Sequence, residues 1–173
     1  MELSEAFYAG LSLVDTDTLK KASKDKESFV ELYDVAVQNF AGPLVKDGQG
    51  NATKNSGVNK ISVKEGQSPN IKLYNDMAAA LSAVIGTRAI KQLSGIPEAV
   101  YLTGNKWNSD VQQFQIDVKE GFGMKDYNSS DVILRYGNTY AGISLKKKPT
   151  VTSASPTMIN NSFNTFLEGK DLQ

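Results

Sequence analysis

Apolar side chains along this 173-residue chain change their period part-way along. Leu3, Phe7, Leu11 and Val14 recur every three or four residues, and Phe29, Val30, Leu32, Tyr33, Ala36, Val37 and Phe40 repeat the spacing. Both stretches predict amphipathic helices within the first forty residues, the second ended by Gly42-Pro43. Residues 46–57 turn to Gly, Asn, Lys and Asp with a single alanine, a composition that predicts a mobile loop. Residues 58–63 suit a short strand or an extended connection. Ser68 as N-cap and Pro69 in the first turn open the longest predicted helix. Its apolar face is Ile71, Tyr74, Met77, Leu81, Val84 and Ile85, Ala78-Ala79-Ala80 allows close packing, and Gly95-Ile96-Pro97 stops it. Strands are expected at 99–103 and 111–118. A hairpin then pairs 131–136 with 139–146 around Gly137-Asn138. Ser155-Pro156 opens a last helix carrying Ile159, Phe163, Phe166 and Leu167, closed by Gly169.

Helices, then strands, then a helix indicate an α+β fold, a small mixed β-sheet with helices packed on it. The length suits one domain over 1–173, with a helical N-terminal part (1–68) and a second part from 69 to 173. No repeat of some tens of residues emerges. No apolar run approaches the ~20 residues of a membrane span, and Met1-Glu2-Leu3-Ser4-Glu5 lacks the basic start of a signal peptide. A cytoplasmic protein is therefore expected, in the host cytoplasm or nucleus if viral.

Hydrophobic residues at 40% and charged ones at 22% are ordinary for a globular protein. Nineteen basic and nineteen acidic residues balance to zero, so any nucleic-acid binding must rest on a local patch. The missing residue types say more. With no cysteine there are no disulfides, thiolate nucleophiles or cysteine-held zinc. With no histidine there is no Ser-His-Asp hydrolysis and no imidazole base. Catalysis is left with carboxylate, lysine, tyrosine or a hard metal held by oxygen.

The hairpin carries such groups. Asp131 opens its first arm, while Ser144 and Lys146, two residues apart and so on one face, close the second. A carboxylate, a hydroxyl and an ammonium converge at its open end, the local chemistry of a metal-assisted phosphodiester site.

Asp131 followed by Ser144-Leu145-Lys146 resembles the PD-(D/E)xK nuclease superfamily, in the variant of some restriction-type endonucleases where Ser replaces the second acid. Ser130 stands where that family usually has Pro. The resemblance covers roughly the last 80 residues. It implies a restriction-endonuclease-like core of a helix, a meander of about three strands, a second helix and one more strand. Residues 69–169 follow this order up to the final strand, so either the chain is a piece of something longer or an N-terminal segment such as 58–63 fills that edge. It further implies a nuclease that hydrolyses DNA or RNA with Mg²⁺ or Mn²⁺. Asp131 would be the central metal ligand, the Leu145 carbonyl a second oxygen, and Ser144 a ligand directly or through water. Lys146 would orient the attacking water or stabilise the transition state.

One carboxylate and a serine make a poor magnesium site. In the Ser-x-Lys subset the further acid comes from the following helix, where this chain has Met158, Ile159 and Asn160. The remaining candidates are Asp117 and Glu120, favoured because the preceding strand is expected beside the hairpin, then Asp76, Glu31 and Glu168. Lys147 and Lys148 extend the basic cluster, and with Lys125 and Arg135 they could hold a phosphate backbone. Trp107 and Tyr127 could stack on bases. Cutting both strands of a duplex would favour a homodimer. The competing reading is a non-catalytic nucleic-acid or protein-interaction module, such as a phage or viral accessory protein. There, Asp131 merely caps a turn and the lysines guard a sheet edge. A serine-lysine dyad of Ser144 and Lys146 is a third reading, without an evident oxyanion hole.

Overall fold

The computed structural model describes residues 3–47, 69–102 and 130–146. The expectations for 58–63, 111–118 and the helix after Ser155 lie outside the described residues.

Where the sequence pattern suggests two helices in the first forty residues, the described residues form three: α1 (Leu3–Leu11), α2 (Thr16–Ala22) and α3 (Lys26–Ala41). The extra break comes from two aspartates. The Asp15 carboxylate accepts the Thr18 N–H at 2.9 Å and its hydroxyl at 2.7 Å, and Asp25 does the same for the Ser28 N–H at 2.9 Å and its hydroxyl at 2.5 Å. The two N–H bonds satisfy orphan donors of a first helical turn. The apolar spacing that runs on through Val14 therefore does not continue the helix, which ends at Leu11.

β1 is only Val45–Lys46. α4 (Ile71–Arg88) is the long helix expected, but its N-cap is Asn70, whose side-chain oxygen accepts the Leu73 N–H at 3.0 Å. Pro69 thus lies before the helix rather than in its first turn. The helix stops at Arg88, ahead of Gly95, and a short 3₁₀ turn over Lys91–Leu93 follows. β2 (Ala99–Leu102), β3 (Val132–Tyr136) and β4 (Thr139–Ile143) complete a mixed four-stranded sheet in the order β1-β2-β3-β4. β1 is parallel to β2, and the other neighbours are antiparallel. Val45–Lys46 thus lies beside β2 at one end of the described sheet. Gly137 has φ 61° while Asn138 has no positive φ, the pattern of a II′ turn whose twist suits a hairpin.

Side chains alternate across the sheet. Val45, Val100, Leu102, Val132, Leu134, Ala141 and Ile143 share one hydrophobic cluster with the N-terminal helices and α4, so the two halves of the chain build a common core. α1 is buried almost all round, from Ala6 to Leu11. Gly10 is what lets α3 lie against it: a Cβ there would stand 2.2 Å from the Ala36 carbonyl oxygen. Asn39 Nδ2 donates to the Gly10 carbonyl at 3.0 Å across the same crossing. The opposite sheet face carries a second cluster, Ala99, Tyr101, Ile133 and Tyr140. No helix among the described residues is long and apolar enough to cross a membrane.

Buried polar groups tie α4 to the N-terminal helices. Arg88, 7% exposed, donates to the Ser12 and Val14 carbonyls at 2.6 and 2.8 Å and to Thr16 Oγ1 at 3.1 Å. These bonds hold the link between α1 and α2 and satisfy carbonyls that a helix end leaves over. The Tyr8 and Thr87 hydroxyls meet at 2.7 Å, and Tyr136 donates to the Leu93 carbonyl at 3.4 Å. Burial pushes the Tyr136 phenol up to about 12 and raises Tyr8 further, while it lowers Arg88.

Candidate functional site

A two-residue turn fixes hairpin register, and β3 and β4 pair Val132 with Ile143, Ile133 with Gly142 and Arg135 with Tyr140. The next step outward brings Asp131 opposite Ser144. The Asp131 N–H donates to the Ile143 carbonyl at 2.8 Å, the last backbone rung of this ladder. Beyond it the carboxylate takes over: Asp131 Oδ2 accepts the Leu145 N–H at 2.6 Å and the Ser144 hydroxyl at 3.4 Å. β4 therefore ends at Ile143, three residues earlier than the pattern suggests, because the partner of residues 144–145 is a side chain rather than a strand.

By alternation Asp131 shares the face of Ile133 and Arg135, and Ser144 that of Tyr140 and Gly142, away from the helices. Ser144 is buried at 7% exposure, Asp131 is half-buried and Lys146 is exposed. Lys146 makes no ion pair with Asp131 among the described residues. Leu145 packs its side chain against the helix-side core, and its contact with Asp131 is through N–H, a donor, not through the carbonyl that the resemblance assigns to a cation.

The remaining candidates separate. Arg135 lies four residues along β3 from Asp131, about 13 Å at the rise of a strand. Its Nε donates to the Gly137 carbonyl at 3.0 Å. It belongs to the turn end of the hairpin rather than to the end that holds Asp131. Asp76 and Glu31 stand on α4 and α3, on the other side of the sheet, and Asp76 pairs with Lys72 at 3.0 Å. Asp117, Glu120, Lys125, Lys147, Lys148, Glu168, Trp107 and Tyr127 lie outside the described residues. Among the described residues β3 is flanked by β2 and β4, and β4 is the outer strand of the hairpin.

The Asp131 carboxylate and the Ser144 hydroxyl offer oxygens, the kind of ligand a hard cation takes, yet among the described residues no cluster of three acids forms that could hold a metal. Sequence reasoning missed the Leu145 N–H. The signal for it was an acid one residue before a strand whose partner outruns it. Comparison of the chain with protein-family models, with curated proteins and with solved structures returned no match.

Proposed function

We propose that this protein is a divalent-metal-dependent nuclease that hydrolyses phosphodiester bonds, with Asp131, Ser144 and Lys146 at its centre. One observation carries the reading: the Asp131 carboxylate and the Ser144 hydroxyl lie 3.4 Å apart at the open end of the hairpin, on the face where alternation also puts Lys146. The meander β2-β3-β4 behind α4, with an acid opening the middle strand, supports it by following the order of the PD-(D/E)xK core, and β1 takes the fourth strand's part.

The donor set fits Mg²⁺ or Mn²⁺ in kind. Asp131 would hold the ion, and a second acid is required, for which Asp117 and Glu120 are the candidates. The ion, when bound, neutralises phosphate charge and acidifies a water. The protein's own part is to hold the carboxylate still and to present the Lys146 ammonium to solvent, where it stabilises charge growing on a phosphate oxygen. Lys146, Lys147 and Lys148 supply the local positive charge that the balanced composition denies the whole surface.

The Leu145 N–H at 2.6 Å favours a second reading, in which Asp131 caps the hairpin of a non-catalytic nucleic-acid or protein-interaction module. Incubation with single- and double-stranded DNA and RNA separates the two. A nuclease cuts at least one substrate with Mn²⁺ or Mg²⁺, stops with EDTA and slows with Lys146→Ala. A module cuts none.

A further inference from the structure

We draw no further inference here: the strongest candidate, the second face of the sheet, where Ala99, Tyr101, Ile133 and Tyr140 form a buried apolar cluster to which no described helix contributes a residue, carries none, because nothing among the described residues shows what covers it.

Discussion

Removing the Asp131 carboxylate tests how the open end of the hairpin is held. Past the Ile143 rung no backbone pair among the described residues secures residues 144 and 145, and what ties them to β3 there is Oδ2. A hydrogen bond to an ionised group contributes about 1.5–3 kcal/mol and a neutral one about 0.5–1.5. The 2.6 Å bond belongs to the first class, and the 3.4 Å contact adds little. Because Asp131 is half-buried, water replaces part of what is lost, which puts Asp131→Ala near ~2 kcal/mol. Asparagine keeps an acceptor for the Leu145 N–H without the charge, so Asp131→Asn should cost about 1 kcal/mol. With a urea slope of roughly 2 kcal/mol per molar, the midpoints should fall by about 1 M for alanine and about 0.5 M for asparagine. Equal midpoints for the wild type and Asp131→Ala would refute the capping argument, and an asparagine variant as weak as alanine would refute its dependence on an acceptor.

Other parts of the fold give further expectations. Arg88→Ala should cost about 3–5 kcal/mol in urea unfolding, because it leaves the buried carbonyls of Ser12 and Val14 without donors. Gly10→Ala should cost roughly 3 kcal/mol, since its Cβ would meet the Ala36 carbonyl of another helix. Gly95→Ala, with nothing within 4 Å, should leave the midpoint unchanged or slightly raised. Tyr136 holds its proton up to about 12 when folded, against about 10 when unfolded, and Tyr8 shifts the same way. Their contribution is whole below pH ~10 and is lost as pH rises toward 12. Unfolding midpoints should accordingly drop across that window, and phenolate absorbance should show Tyr8 and Tyr136 titrating late.

Legibility in the sequence followed the range of the interactions. The hairpin could be read because its determinants are local: alternating β-rich residues on both sides of Gly137, the one described residue with a positive φ. A two-residue turn then makes register a matter of counting, and counting outward sets Asp131 opposite Ser144. The helix break at Asp15 and Asp25 was also local, but the apolar period of Leu11 and Val14 overrode the Asp-x-x-Thr and Asp-x-x-Ser signals. Val45–Lys46 could not be seen, since two residues carry no period and become a strand only through β2. The partners of Arg88 lie more than seventy residues earlier, and nothing in its own helix announces them. The separation of Arg135 from Asp131 could have been read, because four strand residues fix it whatever the fold around them.

Cleavage by Asp131→Asn protein beside the wild type tests the central claim most directly, because asparagine keeps the cap and removes the charge a cation needs. With Mn²⁺ and matched folded fractions, the wild type should cut at least one of single- or double-stranded DNA or RNA, and the variant should cut at less than about one hundredth of that rate, a loss of the size expected when a charged group of the site is removed. A wild type inert on every substrate, or a variant that cuts as fast, would contradict it.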